Sequence, residues 1–182
     1  MNVSKPHEKP VRRSVLIVDD IEDNRVLLER FLTSSGYDSI SVDSGRKAIS
    51  QISRHKPDLV LLDWMMPELS GLDTLHAIRE MYDSVRLPVI MCTAIGEEVS
   101  VVAALNAGAN DYIVKPISLP ILKARMAIHL KQQALVGSMS DEKTTMEQRL
   151  AEQTRALLAN RDSFTEKFGG NIQPPLNDSH RK

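Results

Sequence analysis

The 182-residue sequence predicts a doubly wound α/β fold: five parallel strands covered by helices on both faces, plus an additional C-terminal helix. Three observations predict it. Short runs of β-branched and aliphatic residues recur five times, and each is followed by apolar residues at helical spacing. Apart from Ser39-Ile40-Ser41-Val42, the runs also lack the polar alternation that would leave one sheet face in water. Strands apolar on both faces need cover on both, and a parallel crossover needs the long connection that a helix supplies.

The first unit is Val15-Leu16-Ile17-Val18, followed by Val26-Leu27-Leu28 and Phe31-Leu32 at i, i+3, i+4 spacing and closed by Gly36. Ser39-Ile40-Ser41-Val42 leads to Ala48-Ile49-Ile52, and Leu59 to Leu62 leads to Leu72-Leu75-Ile78. The fourth unit runs from Val89 to Cys92 and on to Val99-Val102-Ala103, and the fifth joins Tyr112-Ile113-Val114 to Ile121-Leu122-Ile128. After Gln133 the pattern changes. Gly137 and Ser138 interrupt, Ser140 or Thr144 can cap a new helix, and Met146, Leu150, Leu157, Phe164 and Phe168 recur at sums of three and four. Leu150, Leu157 and Phe164 stand seven apart, as one core position of a coiled coil does, with Met146, Gln153 and Asn160 at the other. A single helix folding back on the preceding domain is the alternative. The expected organisation is a flexible arm over 1–12, the main domain over 13–133, a helical extension over 134–168 and a disordered tail over 169–182.

At 42% apolar and 26% charged, the chain has material for one domain with a sizeable core and something smaller. Its 23 basic and 24 acidic side chains nearly cancel, and seven of each follow Ala134, so neither part is a basic module. Nucleic acid and anionic membrane are therefore not expected as partners. The longest stretch free of charge and histidine, Val99 to Asn110, is too short to span a bilayer, and no signal-peptide core precedes Asp19, so a cytoplasmic location is expected. Cys92, the single cysteine, lies in an apolar run and reads as a small buried hydrophobe. His7, His55, His76, His129 and His180 share no metal-ligand spacing.

In such sheets ligands bind outside the carboxyl ends of the strands. The first strand ends in Asp19-Asp20, the third in Asp63, the fourth in Thr93 and the fifth in Lys115-Pro116. Each alone is ordinary; Asp20, for one, can cap the following helix. Together they bring three carboxylates, a hydroxyl and an ammonium to one crevice. Crowded carboxylates raise one another's pKa unless a cation neutralises them, and an all-oxygen set selects a hard ion such as Mg²⁺. With Lys115 and Thr93, such a site suits phosphoryl transfer. The sequence has no G-x-x-x-x-G-K-[ST] loop and no strand-end histidine, so a carboxylate is left as the nucleophile. Asp63, alone on the central strand, is better placed for that than the Asp19-Asp20 pair, which suits metal ligation.

These motifs resemble the receiver domain of bacterial two-component response regulators. The resemblance rests on Val-Leu-Ile-Val-Asp19-Asp20, Leu-Val-Leu-Leu-Asp63-Trp-Met-Met-Pro67 with Gly71, Met-Cys-Thr93-Ala94, Gly108-Ala109-Asn110-Asp111-Tyr112 and Val-Lys115-Pro116, within residues 13 to 132. It implies a flavodoxin-like sheet of order 2-1-3-4-5, with Asp63 accepting phosphate from a histidine kinase or phosphotransfer protein. Asp19, Asp20, Asp63 and the Met65 main-chain carbonyl would hold Mg²⁺. Thr93 and Lys115 would bind phosphoryl oxygens across a cis Lys115-Pro116 peptide, and Tyr112 would be the switch aromatic that turns inward with Thr93. The apolar Met65 and Ile95, flanking the phosphate, imply slow self-dephosphorylation, and Trp64 is placed to report binding.

Three functions follow as expectations. The first is a phosphorylation-controlled relay or dimerisation module, paired through the receiver and the C-terminal helix and catalysing only its own phosphotransfer and dephosphorylation. The second is the regulatory fragment of a larger enzyme with a cyclic-dinucleotide or phosphatase output. The third, an aspartyl-phosphate hydrolase, is disfavoured by the order of the acidic residues.

Overall fold

A computed structural model describes residues 12–93 and 98–168. The chain divides into two compact units, Met1–Val136 and Gly137–Lys182. In the first unit, β1 (Ser14–Val18), β2 (Asp38–Val42), β3 (Leu59–Asp63), β4 (Val89–Thr93) and β5 (Asp111–Val114) form one sheet in the order β2-β1-β3-β4-β5. Every pairing is parallel. The connections are α1 (Glu22–Ser34), α2 (Gly45–His55), α3 (Gly71–Met81) and α4 (Glu98–Asn106), and α5 begins at Leu119.

The double winding appears in the core as two separate apolar clusters. Alternate side chains of β1, β3 and β4 (Leu16, Val18, Val60, Leu62, Met91) pack with Ala48, Ile52, Leu75 and Ile78 of α2 and α3. The intervening ones (Val15, Ile17, Leu59, Leu61, Ile90, Cys92) pack with Leu28 and Leu32 of α1 and Leu122, Met126 and Leu130 of α5. All five residues of β3 and of β4 are buried, as central strands covered on both sides must be.

The structure corrects details of the helical stripes. Ile121 and Ile128 of α5 are exposed, and the inward stripe is Leu122-Met126-Leu130. Leu27 and Val102 also face outward. Nor does Asp20 cap α1. The N-cap is Ile21 without a side-chain cap, and its N–H donates to Asp19 instead.

No break occurs at Gly137-Ser138, because α5 is a single helix, Leu119–Phe168. A glycine costs a helix interior about 1 kcal/mol relative to alanine but leaves its hydrogen bonds intact. No proline follows Pro120 within the helix. In the second unit, Met139, Met146 and Leu150 are exposed, and Lys143 pairs with Glu147 one turn away at 3.8 Å. The expected arm, save Arg12, and the expected tail over 169–182 lie outside the described residues.

Candidate functional site

Parallel register carries the chemistry to one edge. Val18 of β1 lies beside Leu62 of β3, so the residues that follow them, Asp19 and Asp63, emerge side by side. Thr93 is the last residue of β4, level with Val114 of β5, and Lys115 follows directly. The ladder runs on past the strands: Asp19 N–H donates to Val42 O, Trp64 N–H to Cys92 O and Lys115 N–H to Thr93 O. Backbone pairing therefore fixes these positions.

The crevice is buried where its charge is concentrated: Asp19 is 2%, Asp63 5% and Thr93 2% exposed. The Lys115 ammonium donates to Asp19 Oδ2 at 2.9 Å and lies 2.8 Å from Asp63 Oδ1, bridging both acids. Asp20 is exposed, yet a carboxylate oxygen of each of Asp19, Asp20 and Asp63 lies within 4.8 Å of the others. Burial pushes the Asp63 carboxyl above the ordinary range, Lys115 opposes that shift, and the charges of Asp19 and Asp20 add to it. Burial works against the Lys115 ammonium, but its bonds to Asp63 and Asp19 outweigh it and hold the net value up. The Lys115-Pro116 peptide is cis.

Close packing shapes the floor. A Cβ on Gly71, the first residue of α3, would stand 2.1 Å from the Asp63 carbonyl oxygen. Only glycine lets α3 start that close to the end of β3. Ser70 caps α3 by accepting from Asp73 N–H, and Gly71 N–H donates to Trp64 O. Met65 is exposed, Trp64 is half-buried against the core, and Ile95 lies outside the described residues. Tyr112, also half-buried, lies with its ring centroid 5.9 Å from the Arg125 guanidinium carbon. Burial pushes the Cys92 thiol up to about 12, so it stays an inert hydrophobe.

Sequence reasoning missed two side chains that support these residues and two groups at the opposite edge of the sheet. Asn24 donates to both oxygens of Asp19 at 3.0 Å, and Arg25 donates to the carbonyls of Asp19 and Asp20. The only signal was the placement of both in the first turns of α1, within side-chain reach of the acidic loop. Behind the sheet, Arg79 of α3 donates to Gly108 O, Leu87 O and Asn110 Oδ1, tying together the loops around β4 and β5. At the start of β5, Asp111 pairs with Arg125 and approaches His129 at 3.4 Å; burial opposes its charge, but the Arg125 bond and its other hydrogen bonds hold its pKa below the usual range.

Fold and crevice together define a doubly wound α/β protein with an acidic, lysine-bridged site at the carboxyl edge of its sheet. Residues 15–127 match the response regulator receiver domain, and the chain belongs to that family. The phosphate regulon transcriptional regulatory protein PhoB of Rhizobium meliloti (strain 1021) is 39% identical over 118 residues, 65% of this chain and 52% of PhoB. The alkaline phosphatase synthesis transcriptional regulatory protein PhoP of Bacillus subtilis (strain 168) is 35% identical over 133 residues, 73% of this chain and 55% of PhoP. The chain thus spans about half the length of these curated relatives. A signal receiver domain from Vibrio parahaemolyticus, 35% identical, superposes with a TM-score of 0.66 over 71% of this chain and 98% of that one. A Francisella receiver domain, 28% identical, gives 0.62 over 66% and 98%.

These findings agree with the family and sheet order expected from the motifs. Both curated relatives are named as transcriptional regulatory proteins. Among the described residues no helix is long and apolar enough to cross a membrane.

Proposed function

We propose that this chain is a phosphorylation-controlled relay module in which Asp63 accepts a phosphoryl group from a phosphohistidine of a histidine kinase or phosphotransfer protein. The observation that carries this reading is the Lys115 ammonium, seated between Asp19 and Asp63 at 2.9 and 2.8 Å. An Asp63 oxygen attacks phosphorus, the P–O bond forms as the P–N bond breaks, and the imidazole leaves with the electron pair and is protonated. Lys115 and the Thr93 hydroxyl take up the charge of the phosphoryl oxygens.

The three clustered carboxylates are an all-oxygen donor set that fits Mg²⁺, which the Met65 main-chain carbonyl would join. When bound, the ion supplies positive charge that lets the acids and the phosphoryl group share one crevice. Thr93, drawn to the phosphoryl group, vacates space beside β5, and Tyr112 turns inward to fill it. This is a population shift whose extent is set by how much better the phosphoryl group binds the second state. The receiver over 13–133 passes its state to the extension over 134–168, whose sequence offers a short, half-polar seam to a second copy, with Leu150, Leu157 and Phe164 at one core position and Met146, Gln153 and Asn160 at the other. The fragment and hydrolase readings are not favoured.

Light scattering with Mg²⁺, with and without beryllofluoride, tests this on wild type and Asp63→Ala. A monomer that dimerises only with beryllofluoride and intact Asp63 is the expected result. Beryllofluoride binding that survives Asp63→Ala sinks the assignment of the acceptor, and a mass unchanged on binding sinks the dimerisation output.

A further inference from the structure

Asp19 has no unused acceptor position. Its Oδ1 accepts from Ile21 N–H at 2.9 Å and from Asn24 at 3.0 Å, and its Oδ2 accepts from Asn24 at 3.0 Å and from Lys115 at 2.9 Å. Each oxygen thus carries two hydrogen bonds, the working capacity of a carboxylate oxygen. The group is also buried, so a ligand cannot reach a further lone pair without moving a donor.

The geometry of the Asn24 contact is specific. One nitrogen lies 3.0 Å from both carboxylate oxygens, so Asn24 occupies an acceptor position on each of them. The other two donors are not free to leave. The Ile21 N–H belongs to the backbone at the start of α1, and withdrawing Lys115 would remove the only cation that bridges Asp19 and Asp63 among the described residues. The Asn24 amide is neutral, half-buried and on the first turn of α1, where a change of rotamer moves it toward solvent at little cost.

We propose that Asn24 is a positioning residue that occupies an acceptor position on each oxygen of Asp19 and must release them for Mg²⁺ to bind, so that it sets the affinity for the ion by competition. The inference rests on the Mg²⁺ reading of the crevice. It holds whether Asp19 meets the ion directly or through a bound water, since either needs a lone pair that Asn24 occupies. The consequence is a trade: Asn24 keeps the empty crevice ordered, and the protein responds to Mg²⁺ at a higher concentration than its acids alone would set.

The test is calorimetric titration of the whole chain with MgCl₂, comparing wild type with Asn24→Ala and with Asn24→Leu, which retains volume but donates no hydrogen bond. A hydrogen bond to an ionised group that must be given up weakens binding by about tenfold or more, so both variants are expected to bind Mg²⁺ about tenfold more tightly. In thermal melts both variants should be less stable than wild type without metal and should gain more from added Mg²⁺. A residue that merely shaped the pocket would give the opposite sign, because a loosened site binds the ion less well. Unchanged or weaker Mg²⁺ binding in either variant that still shows a cooperative melt overturns the proposal. Absence of Mg²⁺ binding by wild type would instead overturn the metal reading itself.

Discussion

Gly71→Ala is the sharpest probe of how β3 and α3 build the crevice, because the added methyl meets only backbone. Its Cβ would lie 2.1 Å from the Asp63 carbonyl oxygen, 2.9 Å from Trp64 Cα and 3.0 Å from the Asp63 carbonyl carbon. Contacts under 3.0 Å are essentially never seen for a Cβ, so α3 or the end of β3 must retreat by about 0.9 Å. No rotamer can relieve the contact, and the retreat strains the 3.0 Å bond from Gly71 N–H to Trp64 O. Overpacking of this kind costs about 1–3 kcal/mol, and weakening one hydrogen bond adds about 1 kcal/mol, so a loss of about 3 kcal/mol is expected. In a chain of this size that lowers the melting temperature by roughly 9 °C. Urea unfolding with a shared m-value measures the loss, and beryllofluoride titration measures the effect on the site. The displaced peptide carries the Asp63 carboxylate, and a misplacement near 1 Å can weaken a reactive constellation by about a hundredfold. A variant within about 0.5 kcal/mol of wild type that binds beryllofluoride normally would refute the reasoning, since α3 would then have slack that the structure does not show.

Four further outcomes are expected. Lys115→Met leaves Asp19 and Asp63 without their shared cation; the side chain is 25% exposed, so the loss in urea should be about 2 kcal/mol, below the ~3–5 of a fully buried pair, and should shrink with added Mg²⁺. Because burial raises the Asp63 carboxyl, the folded state holds that proton more tightly than the unfolded chain, and stability falls as pH climbs from the ordinary carboxylate value through the raised one. Asp63→Asn should abolish that fall in metal-free buffer, melting higher than wild type above the window and showing no such gain below it. Arg79→Lys cannot reproduce a fork that reaches Gly108, Leu87 and Asn110 together and should cost about 2 kcal/mol by urea unfolding. Gly137→Ala meets nothing within 4 Å and should raise helicity by circular dichroism, with a gain of up to about 1 kcal/mol; a drop would mean that the helix does not run through this position.

The strands and the crevice were legible in the sequence because a parallel topology addresses them, whereas the strand order came from the resemblance to receiver domains. A buried parallel strand announces itself as a short apolar run, and the residue after each run must emerge at the same sheet edge. Asp19, Asp63, Thr93 and Lys115 could therefore be gathered without coordinates. The face that α5 turns inward was not legible. Ile121-Leu122-Ile128 and Leu122-Met126-Leu130 both satisfy a helical period, and only packing against Ile113 and Leu61 selects the second. Gly137 misled for a related reason: intrinsic propensity is a weak prior, and a glycine flanked by good helix formers does not end a helix. Asn24, Arg25 and Arg79 were invisible because nothing in a pattern of residue types says where a long side chain will reach.

Lys115 shows where the two kinds of information meet. It follows β5, and β4 separates it from Asp63, two strand spacings or about 9.6 Å away in the sheet, with Asp19 one strand further. A short side chain at that position could not cross β4. The four-carbon stem of lysine can, ending in a compact ammonium whose rotatable donors meet two carboxylates at once. Sheet order dictates the distance, the distance dictates the length of the side chain, and the two acids dictate its charge. The cation that bridges Asp19 and Asp63 is thus fixed by the topology as firmly as the acids it neutralises.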